Sequence, residues 1–114
     1  MIAVIFEVRI HPGRKQDYLD FAAALRTELE AVDGFLSVER FTSLADPNRI
    51  LSLSFWRDEE AVRRWRTASP HRVAQRAGRD DIFSDYRLRV AAVLRDYGMQ
   101  DREQAPRDSE GMLA

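Results

Sequence analysis

FLSVERFTSLADPNRILSLSFWR, residues 35–57, decides the fold. Two runs of strand-like alternation, 35–42 and 49–57, flank SLADPN, whose Asp, Pro and Asn are residue types that turn a chain. The pattern predicts a β-hairpin. On its second strand Leu51, Leu53 and Phe55 take one face and Ser52, Ser54 and Trp56 the other, because successive strand side chains point to opposite sides. Glu39 and Arg40, adjacent on the first strand, must also part, so they cannot serve one site from the same side.

Toward the C-terminus, Asp58 has the chemistry of an N-cap, and Ala61, Val62 and Trp65 form the apolar stripe of a short helix. Ser69 and Pro70 interrupt it and can start a second piece carrying His71, Val73, Ala74, Gln75 and Ala77, ending at Gly78. Residues 82–94 return to an extended pattern, with Tyr86, Leu88, Val90, Ala92 and Leu94 on one face. RLRVAAVLRDYG within it also fits a helical stripe, and the topology favours the strand. Toward the N-terminus, Asp33-Gly34 stops an amphipathic helix over 14–32, built on Tyr18, Phe21, Ala22, Leu25, Leu29 and Val32. Before it, His11-Pro12-Gly13 breaks a strand in which Ile2, Val4, Phe6, Val8 and Ile10 share a face.

The order strand, helix, strand, strand, helix, strand is the ferredoxin-like βαββαβ pattern, an α+β fold with two helices over one face of a four-stranded antiparallel sheet. Ile5, Phe35, Phe41 and Trp56 are expected on the other face, among Glu7, Arg9, Glu39, Ser52 and Ser54. A wide, partly apolar face in water predicts a homodimer that pairs two sheets about a twofold axis. The domain covers residues 1–98. Residues 99–114 read as a polar C-terminal tail, flexible or an arm on the partner subunit through Met112 and Leu113.

Composition narrows the partners. The 114 residues carry 18 basic against 19 acidic side chains, so no long-range field favours nucleic acid or an anionic membrane. There is no cysteine, which excludes disulfides, thiolate metal sites and a cysteine nucleophile. The opening MIAVIFEVRI is too short to span a bilayer and lacks a small-residue cleavage site, so it reads as the first strand of a cytoplasmic protein. Two distant histidines and scattered carboxylates show no metal-ligand spacing, and neither a phosphate loop nor a G-x-S-x-G elbow is present.

This element order, with GFLSVERF, LSLSFWRDEEAVRRWR and YRLRVAAVLRDYG, resembles the antibiotic biosynthesis monooxygenase (ABM) family of dimeric α/β-barrel fold, over residues 1–98. That family includes cofactor-independent oxygenases of polycyclic phenols and anthrones, quinol oxygenases, haem-degrading monooxygenases and members without known activity. The resemblance implies an oxygenase acting on an electron-rich aromatic such as a quinol, naphthol or anthrone, without a cofactor. It also places Trp65 where family enzymes carry a tryptophan, its ring against a flat substrate and its N–H able to donate a hydrogen bond. Packing is the plainer account of the same residue.

His71 is the candidate base, with Trp65 beside it as the second catalytic candidate; a solvent-facing ring is the alternative for the histidine. Haem binding is the alternative function. Against it, haem-degrading relatives carry a histidine about one turn later, where this chain has Gln75, and an asparagine nearest to Phe6, which cannot hydrogen-bond. Phe6, Trp65, Gln75 and Tyr86 are the expected substrate contacts, and Tyr18 and Tyr97 are further phenols able to orient a ligand oxygen. A third function is a non-catalytic dimer that binds a small aromatic molecule. Arg63, Arg64, Arg66, Arg72, Arg76 and Arg79 form a basic face, read as solvated or, in part, as a pocket mouth meeting an acidic ligand.

Overall fold

The computed structural model describes residues 1–68 and 82–109. Strand β1 (Ile2–Ile10) leads through the His11-Pro12-Gly13 turn, with Gly13 at φ 83°, into helix α1 (Lys15–Glu30). β2 (Phe35–Thr42) and β3 (Arg49–Trp56) form the hairpin, α2 (Glu59–Thr67) follows, and β4 (Phe83–Ala92) closes the sheet. The sheet order β2-β3-β1-β4, antiparallel throughout, is the ferredoxin-like one expected. The segment that fitted both periods is a strand because its partner is β1: Val4, Phe6 and Val8 stand opposite Val90, Leu88 and Tyr86. Among the described residues no helix is long and apolar enough to cross a membrane.

Each local stop has a visible cause. Asp58 accepts a hydrogen bond from the backbone N–H of Ala61 at 2.9 Å, capping α2 as its sequence position implied. Helix α1 ends at Glu30, before the expected Val32, because the chain turns earlier: Val32 N–H reaches Leu29 O at 3.2 Å and Phe35 N–H reaches Val32 O at 3.1 Å. Gly34, at φ 95°, completes that turn in a conformation that side chains rarely adopt.

Two expectations about faces are overturned. Register pairs Trp56, Ser54 and Ser52 of β3 with Ile2, Val4 and Phe6 of β1, so this phase looks toward the helices and Leu51, Leu53 and Phe55 look away. Trp56 is 1% exposed and packs with Leu29, Ala61 and Val62. Phe35 also lies on the helix side, because the β2–β3 register slips between Phe35 and Ser37; the extra residue, Leu36, is exposed, and Phe35 pairs with Trp56. Simple alternation misses a bulge, and it then assigns the wrong face to every residue before it. Ile5, Phe41, Glu7, Arg9 and Glu39 do share the face away from the helices.

The core is consequently in two pieces. At one end Val8, Ile10, Tyr18, Ile50 and Ile82 pack together; at the other, Leu29, Trp56, Ala61 and Val62. Between the large Ile50 and Trp56, the helix-facing phase of β3 carries only Ser52 and Ser54. Two small residues where a filled core would need large ones leave space.

Candidate functional site

That space is a cavity of about 230 Å³ between α1, α2 and the sheet. Its volume is just below the range of ordinary small-molecule pockets, roughly 300–1,000 Å³. The floor follows from the register: Arg40, Ser52, Phe6 and Leu88 make one row across the four strands, and Val38, Ser54, Val4 and Val90 the next. Helix α1 supplies the roof through Tyr18, Phe21, Ala22 and Leu25, the middle of the stripe read from its periodicity. Val62, Trp65 and Arg66 of α2 stand at one side. Phe83 and Tyr86 stand at the other, where Phe6 meets both rings edge-on at centroid distances of 5.8 and 5.7 Å.

Of the residues singled out from the sequence, Phe6, Trp65 and Tyr86 line this one cavity, and Tyr18 joins them. His71 and Gln75 lie outside the described residues, as do Met112 and Leu113. Tyr97 is elsewhere, after β4, with the Arg102 guanidinium 5.1 Å from its ring centroid. On the basic face, Arg63 pairs with Glu60, and Arg64 reaches Asp33 at 3.6 Å and Glu60 at 3.7 Å, while Arg66 borders the cavity.

The polar groups are few. Trp56 Nε1 donates to Ser54 Oγ at 2.9 Å, which satisfies the buried indole and leaves the serine proton to be donated elsewhere. Tyr18 is 6% exposed, and its burial pushes the phenol pKa up, against a smaller opposing pull from the charge of Arg40 and a hydrogen bond to it. It is therefore a neutral O–H at physiological pH. Arg40 is the residue that sequence reasoning missed. The signal was present: with Glu39 and Phe41 expected on the open face, Arg40 falls on the inward phase of β2 with Val38, where a charge is unexpected.

Haem would need an axial ligand, usually an imidazole, thiolate or thioether. Among the described lining residues there is no histidine or methionine, and Phe6 offers no hydrogen bond; His71, the candidate imidazole, lies outside them. No cluster of metal-ligating side chains occurs among the described residues.

The structure is a two-layer α+β fold enclosing an aromatic-lined cavity, and comparison with known proteins gives its class. The model of the antibiotic biosynthesis monooxygenase family matches residues 1–77, and the chain belongs to that family. It is 52% identical over 93 residues to the jasmonate monooxygenase ABM of Pyricularia oryzae, covering 82% of this chain and 43% of that protein. It is 35% identical over 68 residues to the uncharacterised protein YqjZ of Bacillus subtilis, covering 60% of this chain and 58% of the other. The chain thus spans about half the length of the curated relatives it matches. Among solved structures, Rv0793 of Mycobacterium tuberculosis superposes with a TM-score of 0.74 at 20% identity, over 83% of this chain and 96% of its own. PA3566 of Pseudomonas aeruginosa gives 0.71 at 17% identity, over 82% and 93%. At such identities the likeness is one of fold.

Proposed function

We propose that the cavity is the active site of a cofactor-independent monooxygenase that oxidises a small electron-rich aromatic compound of the quinol, naphthol or anthrone type with molecular oxygen. The observation that carries this is the cavity itself, apolar and ringed by Phe6, Trp65, Phe83 and Tyr86, in a chain of this family. Flat aromatic walls suit a flat ligand. In the reaction the substrate loses a proton and its anion reduces oxygen; for an anthrone, one oxygen atom becomes the new carbonyl and the other leaves as water with the two methylene hydrogens. The protein's part is to hold the ring, take the proton and exclude water. Trp65 is the platform and His71 the base in this reading. A second copy on the open face of the sheet, over Ile5, Leu51, Leu53, Phe55 and Phe41, completes it as a homodimer.

Oxygen uptake on a panel of quinols, naphthols and anthrones tests the reading. Uptake should exceed the protein-free rate and fall at least about tenfold in Trp65→Phe and in His71→Ala, as loss of positioning and of a base predicts. Wild-type uptake equal to the blank on every compound would sink it. A second substrate, a jasmonate, is favoured by the 52% identity to the Pyricularia oryzae enzyme. Turnover of jasmonate with no uptake on the aromatic panel would replace the first reading with this one.

A further inference from the structure

Arg40 raises a question that the family does not answer. Its position is set by the sheet: inward phase of β2, directly across from Ser52, within the cavity wall. Its Nε is buried without a hydrogen-bond partner, and it is the one such side-chain atom among the described residues. Buried polar atoms are almost always paired, and a buried guanidinium N–H without an acceptor is costly. The groups around it do not neutralise it. Tyr18 is its neighbour and is neutral, and Ser52 and Ser54 are hydroxyls. Among the described lining residues there is no carboxylate, whereas a second arginine, Arg66, borders the same space. The acidic residues closest in sequence or register, Glu39 and Glu7, point through the other face of the sheet, and Glu7 is engaged by Arg49 at 3.2 Å and Arg89 at 3.5 Å.

We propose that Arg40, flanked by Tyr18 and Ser52, is the anchor for an acidic oxygen of the ligand, so that the cavity selects anions: carboxylates or ionised phenols with a compact apolar body. A guanidinium in an apolar surround binds an oxyanion far better than it would in water, and its Nε has no hydrogen-bond partner to release first. The Tyr18 oxygen accepts from Arg40, so the phenol keeps its proton to donate to a ligand. This inference rests on the reading of the cavity as a substrate site and names the class of substrate that site takes. It also fixes orientation, since the charged end lies on the Arg40 row of the floor and the apolar body against Phe6 and Tyr86.

Binding, measured apart from turnover, tests this. The probes are 1-naphthoate, its methyl ester, and 1-naphthol on either side of its ionisation, titrated by calorimetry into wild type, Arg40→Met and Arg40→Lys. Wild type should prefer naphthoate to the ester by about tenfold or more, the scale of a charge-assisted pair. Arg40→Met should bind the ester as wild type does but lose the preference, and Arg40→Lys should keep part of it. Retained ester binding shows that the variant is folded with its cavity intact. Preference for naphthoate alone assigns the anchor to carboxylates; tighter binding of naphthol only once ionised assigns it to phenolates. Equal affinity of wild type for naphthoate and ester with no gain for naphthol on ionisation, or an undiminished preference in Arg40→Met, overturns the proposal. An intact preference without oxygen uptake would instead remove the oxygenase reading and leave the anchor standing.

Discussion

Gly34 shows how much one residue can decide. A Cβ at this position would lie 2.7 Å from the Cβ of Ala61, which is fully buried, and 3.3 Å from the Arg57 guanidinium, and the backbone is already at φ 95°. Gly34 O also accepts the Arg57 N–H at 2.7 Å, so this turn ties the end of α1 to the start of α2. Gly34→Ala should therefore cost about 2–4 kcal/mol, from the left-handed backbone and from overpacking together, read as a lower urea midpoint. Trp56→Ala should cost about 3–5 kcal/mol, since it empties the largest fully buried side chain and strands its Ser54 partner. A cost under about 1 kcal/mol in either case would contradict the packing described.

At the scale of elements, α2 is short, and its first turn is held by charge. Asp33 accepts from both Arg57 terminal nitrogens at 3.1 Å, and Asp58 pairs with Arg57 at 3.3 Å while capping the helix. The Arg57 hydrogen bond and charge hold the Asp33 carboxyl below its ordinary pKa; the Ala61 N–H, then Arg57, do so for Asp58; and Arg63 does so for Glu60. Carboxylates with depressed folded-state pKa values stabilise the fold above their unfolded values and lose that contribution as pH falls through the folded ones. Stability should thus decline as pH drops below about 4, and in Asp58→Asn this decline should be shallower. Chemical denaturation between neutral and acid pH checks it, and identical pH slopes in the two proteins would refute the role given to Asp58. Because these groups are exposed, added salt should also blunt the effect.

For the whole molecule, the face of the sheet turned away from the helices is more apolar than sequence alternation alone implied. Leu51, Leu53 and Phe55 stand there with Ile5 and Phe41, the last 43% exposed, and Glu7, Arg49 and Arg89 form a charged cluster beside them. On the proposed dimer, Leu53→Asp puts unpaired charges into the interface and should yield monomers in sedimentation equilibrium, with a lower Tm. A wild type that sediments as a monomer would remove the dimer from the proposal. The fold recurs in solved structures at identities of 17–20% with TM-scores of 0.71–0.74.

Local chemistry was enough to read the elements. Alternation in β1 and the hairpin, the helical stripes, the Asp58 cap and the glycine turns are properties of neighbouring residues, and their order admits the ferredoxin-like sheet. Phe6, Trp65 and Tyr86 were also legible as wall residues, because each lies in an inward phase or stripe. Which face of β3 is inward was not legible. Leu51-Leu53-Phe55 is the more apolar phase, and only pairing with β1 turns it away from the helices. The cavity depends on that same choice of face, which puts Ser52 and Ser54 where a filled core would need large residues. It results from strands meeting at long sequence separation, where alternation defines the two phases of a strand but its partner decides which one is covered.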